Sequence, residues 1–263
     1  MTASAKAERQ PDLTVLLRAL TAAAPGWGVW KNADAALAGF GDVDSAAPHS
    51  EWPAIEATFA EWARAQGLGP VVACPHVPDG LFLLALDQAA RAFVELDVAG
   101  SQPLRGHALF RAGSLAPLMQ LDPRGFRRLR PGAEGLVLLL LSGLRHFGRP
   151  NPERLAARRI PELLALDPEG VREAARLLGV AGPAALALAD AVRAGRWHRG
   201  AALAVELRGA VLSPPSLPAR VRYRLVWTRC PVNVAIRGGR RLPADVDGWL
   251  ATVAEDRRHR VIA

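Results

Sequence analysis

The sequence predicts an α+β protein: a small mixed or antiparallel sheet flanked by helices, followed by a helical bundle. Three observations carry this. Apolar residues recur at helical spacing in two early segments, Leu13-Leu16-Leu17-Leu20 and Trp52-Ile55-Phe59-Trp62. Between residues 71 and 98, short apolar runs are joined by turns too short for a crossover helix, so neighbouring strands must be antiparallel. After Arg105 the strand-like runs give way to longer periodic segments opened by proline or an acidic residue. The expected units are an α+β part over 12–120, a helical part over 121–209 and an extension over 210–263 that packs on both.

Taken in order, residues 1–11 read as a disordered lead, and Asp12 is placed to cap the first helix, which Pro25-Gly26 stops. Trp27 to Trp30 reads as a short strand, and a Gly- and Ala-containing loop leads to Gly41-Asp42-Val43-Asp44. Ser50 before Glu51-Trp52-Pro53 marks a helix start, and Gly67 and Gly69 mark its end. Val71–Cys74, Leu81–Leu86 and Ala92–Val98 form the meander, turned by Val77-Pro78-Asp79-Gly80 and Asp87-Gln88. Helices are expected over Glu134–Phe147, Pro152–Leu166, Pro168–Leu178 and Pro183–Ala194, continuing to Leu207. Ser213-Pro214-Pro215-Ser216-Leu217-Pro218 is a linker or sharp corner. Beyond it lie an apolar run over Val232–Ile236, a Gly238-Gly239 turn and a final helix from about Asp245 to Arg258.

The composition is that of a globular protein with ample core: 263 residues, 50% hydrophobic and 6% aromatic. The net charge of +8 comes almost wholly from arginine, since lysine occurs only at Lys6 and Lys31. Such a balance favours polyanionic ligands, nucleoside triphosphates and nucleic acid included. Cys74 and Cys230 are the only cysteines and show no metal-ligand spacing, which suits a reducing cytoplasm. Asp12 and Arg18 interrupt the first apolar stretch, against a signal peptide, and the longest apolar run, Leu136 to Leu141, is too short to span a bilayer. A cytoplasmic protein without a membrane partner is expected. No GxxxxGK[ST], GxGxxG or GxSxG occurs, which argues against a P-loop kinase, a Rossmann enzyme and serine chemistry of the nucleophile-elbow type. His49, His76, His146, His198 and His259 lack the HxxxH spacing of a zinc site.

The chemistry lies in the carboxylates. Asp42 and Asp44 stand two apart, so a strand through Val43 projects both from one face. Asp97 closes the strand Ala92–Leu96. Acidic groups brought together at strand ends repel one another unless a cation neutralises them, and oxygen-only ligands suit Mg²⁺ or Mn²⁺. Glu95 shares Asp97's strand face, either as a fourth ligand or as an exposed strand glutamate. Lys31 and Asn32 lie just upstream, where a substrate phosphate would sit.

This order resembles the nucleotidyltransferase superfamily of the DNA polymerase β type: a strand ending in Trp30-Lys31-Asn32, a Gly-containing loop delivering Gly41-Asp42-Val43-Asp44, an amphipathic helix, and a later strand ending in Asp97. It looks closest to a branch with Lys-Asn and Gly-Asp-x-Asp, Trp30-Lys31-Asn32 standing where commoner members carry Gly-Ser. The resemblance covers roughly residues 27–120. It implies that Asp42 and Asp44 bind Mg²⁺ (or Mn²⁺) ions clamping a nucleoside triphosphate, and that Asp97 completes the metal site and helps deprotonate an acceptor hydroxyl. Lys31 and Asn32 would contact phosphate, with Gly39 and Gly41 letting the backbone approach. The implied activity transfers a nucleoside monophosphate to a small molecule, a protein or an RNA, with pyrophosphate leaving.

Arginines supply the remaining candidates. Arg105 and Arg111 flank His107 just after Asp97 and are placed to hold phosphate or acceptor, Arg105 above all. Arg124, Arg127, Arg128 and Arg130 form either a polyanion-binding edge or a solvated connector, and Arg158 and Arg159, on a helix of the later part, either face the cleft or are solvated. Two other function classes stay open: a nucleotidyltransferase-like module without turnover, which binds or regulates, and a basic nucleic-acid-binding protein.

Overall fold

Asp12 starts the first described element: in the computed structural model its carboxylate accepts from the N–H groups of Thr14 and Val15 and caps α1 (Leu13–Ala23). The structure describes residues 11–39, 42–77, 79–104, 107–212, 242–255 and 259–262, so the expectations for residues 1–10, for the 213–218 corner and for the 232–239 segment lie outside it. β1 (Gly28–Lys31) follows, and the expected loop after it contains a short helix, α2 (Ala33–Leu37). β2 (Val43–Ala46) runs on through Ser45 and Ala46, all four residues buried. α3 (Trp52–Ala65) opens with Pro53 in its first turn and buries Ile55, Phe59 and Trp62, the expected stripe. The meander is β3 (Val71–Val77), β4 (Gly80–Asp87) and β5 (Ala92–Ala99), antiparallel throughout.

Then comes a separate hairpin, β6 (Ser101–Leu104) with β7 (His107–Arg111), and a short helix, α4 (Ala112–Leu115). β8 (Met119–Leu121) and β9 (Arg127–Leu129) return to the main sheet, β9 lying parallel to β1. The helices that follow are α5 (Pro131–Leu138), α6 (Pro152–Ala156), α7 (Arg159–Leu166), α8 (Pro168–Arg176), α9 (Gly182–Arg193) and α10 (Arg199–Leu212). Two expected helices are interrupted. The Glu134–Phe147 segment ends in a wider π-helical turn at Gly143, and β10 (Leu144–Arg145) pairs with β11 (Arg149–Pro150) as a small hairpin. Arg158, in the left-handed region at φ 55°, separates α6 from α7. Near the end, α11 (Val246–Glu255) precedes β12 (Arg260–Ile262), a strand absent from the sequence reading.

The chain is thus mixed α/β, and its sheet is larger than expected: among the described residues it has eight strands, in the order β12-β3-β4-β5-β2-β1-β9-β8. β2 and β5 run parallel at its centre. Alternation along the strands sorts the side chains onto two faces. On one face Val29, Val43, Leu81, Leu83, Leu96 and Val98 pack under α1 and α3, where Leu16, Leu17, Leu20, Ile55 and Phe59 are fully buried. On the other, Val72, Cys74, Leu84, Leu86 and Phe93 meet Leu242 and Val253 around α11. Toward β1 that second face carries Trp30 and Ala46, which join the large core formed by α5 and α7–α10. No helix among the described residues is long and apolar enough to cross a membrane.

The early arginine cluster neither solvates a connector nor forms a free polyanion edge, because its members are turned inward as ties. Arg127 donates to the carbonyls of Thr21, Ala24 and Pro25 at the end of α1. Arg130 pairs with Asp167 at 2.7 Å and with Glu173 at 2.5 Å on and beside α8. Arg124 reaches Asp122 at 2.7 Å and Asp34 at 2.6 Å, and Arg128 pairs with Asp34, Asp122 and Glu134. Hydrogen bonds from Arg124 hold the Asp122 carboxyl well below the ordinary carboxylate range. A carboxyl lowered in the folded state stabilises the fold above about pH 4 and loses that contribution as pH falls through its folded value. Asp122→Asn is therefore expected to melt at a lower temperature than wild type at pH 7, with the gap closing under acid. Melting curves across pH check this; a gap independent of pH would contradict it.

Candidate metal and nucleotide site

The register of three strands assembles the site. β2 and β5 are parallel and in step, so Asp44 lies opposite Asp97. β1 is antiparallel to β2 with Lys31 opposite Asp44, after a register irregularity between Val29 and Lys31. Paired residues on neighbouring strands point the same way, and residues two apart on one strand share a face. Asp42, Asp44, Glu95 and Asp97 therefore occupy one face of the sheet, between the core around α11 and the core of the later helices. Ser45 fixes the crossing by donating from its hydroxyl to the Asp97 carbonyl at 2.7 Å.

One carboxylate oxygen each from Asp42, Glu95 and Asp97 lie within 4.8 Å of one another, a set that could hold a metal ion. The closest group is thus not the Asp42–Asp44–Asp97 set read from the sequence. Glu95 takes the third place and is buried, 4% exposed, rather than an exposed strand residue. Asp44 stands beside the set, with its Oδ1 2.7 Å from the Lys31 ammonium. Burial pushes the Asp97 carboxyl well above its ordinary range, and the charges of Glu95, Asp44 and Asp42, with a hydrogen bond between its side chain and that of Glu95, push the same way. Asp97 Oδ1 is a buried acceptor with no hydrogen-bond partner among the described residues. An orphaned carboxyl oxygen amid other acidic groups is what a bound cation would relieve, and the all-oxygen donor set selects a hard ion.

The phosphate-side expectations divide. Lys31 is at the site, paired with Asp44. Asn32 is left-handed at φ 58° and precedes α2, but its contact to the rest of the protein is through the backbone: its N–H donates to Glu134 Oε1 at 2.9 Å. Gly39 is left-handed at φ 80°, a conformation that suits glycine. Gly41 and Arg105 lie outside the described residues, and Arg111 is exposed at the end of β7.

The residue missed by sequence reading is Glu134. It is 1% exposed on α5 and receives three donors: the Asn32 N–H, Arg159 Nη2 at 2.7 Å and Arg128 Nη2 at 2.9 Å. It ties the turn after Lys31 to α7, and so the site strand to the later helices. Its signal was present: a lone carboxylate amid Pro131–Leu141, otherwise apolar, needs buried partners. Arg159, read as facing either a cleft or solvent, is one of those partners.

No family model, curated protein or solved structure matches the chain.

Proposed function

We propose that the chain is a divalent-metal-dependent nucleotidyltransferase, moving a nucleoside monophosphate from a triphosphate to a hydroxyl acceptor. The observation that carries this reading is the in-register placement of Asp44 beside Asp97 on parallel strands, with Asp42, Glu95 and Asp97 converging within 4.8 Å. Asp42, Asp97 and Glu95 would hold Mg²⁺ or Mn²⁺, with Asp44 as a further ligand once Lys31 turns to phosphate. When bound, such ions stabilise charge on the attacking and leaving oxygens of an in-line displacement.

The chain's own residues supply the rest. Lys31, next to the carboxylates, balances the triphosphate's charge. Asp97, on β5 opposite Asp44, takes the proton of the acceptor hydroxyl as the acceptor's oxygen bonds to the α-phosphorus. The bond from the α-phosphorus to the bridging oxygen breaks, and pyrophosphate leaves. Glu134 holds the Asn32 backbone, and with it the turn that follows Lys31.

A second reading, a module without turnover, is favoured by the 2.7 Å Lys31–Asp44 ion pair, which couples a proposed phosphate contact to a proposed metal ligand. Labelled triphosphates separate the two. With a cell extract as the source of small-molecule, protein and RNA acceptors, label from the α-phosphate is expected to move to an acceptor in Mg²⁺. Label from the γ-phosphate is expected in pyrophosphate. Asp42→Asn/Asp44→Asn is expected to lower transfer roughly a hundred- to thousandfold. Metal-dependent triphosphate binding without transfer supports the second reading, and transfer of the γ-label contradicts nucleotidyl transfer.

A further inference from the structure

A second feature of the molecule lies on the β10–β11 hairpin, on residues that the carboxylate site does not use. Phe147 sits at its tip with 70% of its surface exposed, in the left-handed region at φ 62° and ψ 36°. Both facts are costly: a bulky aromatic gains nothing from burial there, and the left-handed backbone is strained for it. The loop is nonetheless held firmly. Gly148, also left-handed, lies against Leu203 and the Arg199 carbonyl, where a Cβ would meet atoms at 2.7 and 3.0 Å. The Gly148 carbonyl accepts from Trp197 Nε1 at 2.9 Å. At the hairpin's base, Asn151 donates from its backbone N–H to the Gly143 carbonyl and from its side chain to the Ser142 carbonyl. Phe147 is therefore displayed by a braced scaffold, with the His146 ring 6.3 Å away and also exposed.

The surroundings of this aromatic tip are cationic. A cavity of about 590 Å³ is lined by Arg145, Arg149 and Arg154 together with His146, Phe147 and Asn151. Arg145 is held by Asn151 at 3.0 Å and has Glu153 at 3.8 Å. Arg149 and Arg154 are exposed and make no ion pair among the described residues. This contrasts with Arg124, Arg128 and Arg130, all consumed by buried or half-buried carboxylates. An exposed ring on a braced loop beside uncommitted guanidinium groups matches a strand with anionic phosphates and unstacked base faces.

We infer that the β10–β11 hairpin and its cavity form a docking site for single-stranded nucleic acid, with a base stacked on Phe147 and the flanking phosphates on Arg149 and Arg154. The site goes beyond the transfer chemistry and needs neither metal nor triphosphate.

The test is fluorescence anisotropy with fluorescein-labelled twelve-nucleotide oligo(U) and oligo(dT), without metal or nucleotide, over a salt series. Wild type is expected to bind at least one oligomer saturably, either sugar preference supporting the site. Phe147→Asn keeps a residue suited to the left-handed turn and is expected to weaken binding about tenfold, with recovery in Phe147→Trp. Arg149→Ala/Arg154→Ala is expected to reduce the slope of log affinity against log salt by about 1.4. Asp42→Asn/Asp44→Asn should bind as wild type does, so failure here is separate from failure of the transfer reading. The inference is overturned by the absence of saturable binding, by variants that bind like wild type, or by equal affinity for a blunt duplex or an acidic peptide of matched charge.

Discussion

Asp97→Asn is expected to raise the melting temperature of the metal-free protein while removing its response to Mg²⁺ and its nucleotidyl transfer. The two effects have one cause. Four carboxylates share a sheet face, and burial together with its acidic neighbours raises Asp97's proton affinity. A carboxyl raised in the folded state contributes stability that is fully present below its ordinary range near pH 4 and is lost as pH rises through its folded value. Asparagine cannot ionise, so it removes that loss and one repulsive charge. The gain should appear as a higher melting temperature near neutral pH and should vanish under acid. The metal response disappears because an amide oxygen is a neutral, weaker ligand. Melting curves with and without Mg²⁺ across pH check both arms. A variant less stable at every pH would mean that Asp97 serves the fold; retained transfer would remove it from the site.

Glu134→Ala is expected to cost about 3–5 kcal/mol, the range for breaking a buried ion pair by removing one partner. Three donors lose their acceptor, and two of them are arginines. Asp34 and Asp122 still face Arg128, whereas Arg159 makes no other ion pair among the described residues. Since a domain's whole stability is about 5–15 kcal/mol, the variant would be marginal at 37 °C. Glu134→Gln keeps the shape and the acceptor oxygen, and should recover part of the loss while weakening triphosphate binding, because the turn after Lys31 is less firmly tied. Denaturant unfolding measures the first effect and nucleotide titration the second. A cost below about 1 kcal/mol for alanine would show that the Glu134 contacts are not a structural tie.

Much of the framework was legible because it is local. Asp12 as a cap, the Trp52–Trp62 stripe and the meander over residues 71–98 follow from spacing and turn residues that act within a few positions. That Asp42, Asp44 and Asp97 share one sheet face was also legible, since period two fixes the first pair and an apolar strand delivers the third. What the sequence hid is non-local. β9 is Arg127-Arg128-Leu129, which has no alternating pattern; it becomes a strand because β1 offers a parallel edge and nearby carboxylates and carbonyls take its arginines. β12 is added beside β3 from the far end of the chain. The break before Phe147 is marked locally only by Ser142-Gly143 after the apolar run Leu136–Leu141, and the brace at Gly148 comes from Trp197 and Leu203, some fifty residues later. Glu95's burial depends on covering structure that its own strand does not encode.

The measurement that bears most directly on the carboxylate site is a thermal-melting panel of ATP, GTP, CTP and UTP, each with Mg²⁺ or Mn²⁺, on wild type and on Asp42→Asn/Asp44→Asn. A ligand at a hundred times its Kd adds about 2.7 kcal/mol, roughly 5–10 °C here. The account predicts a shift of that size for at least one triphosphate in wild type, dependent on the divalent ion and lost in the variant. A shift that persists in the variant or without metal, or no shift for any triphosphate, would contradict it.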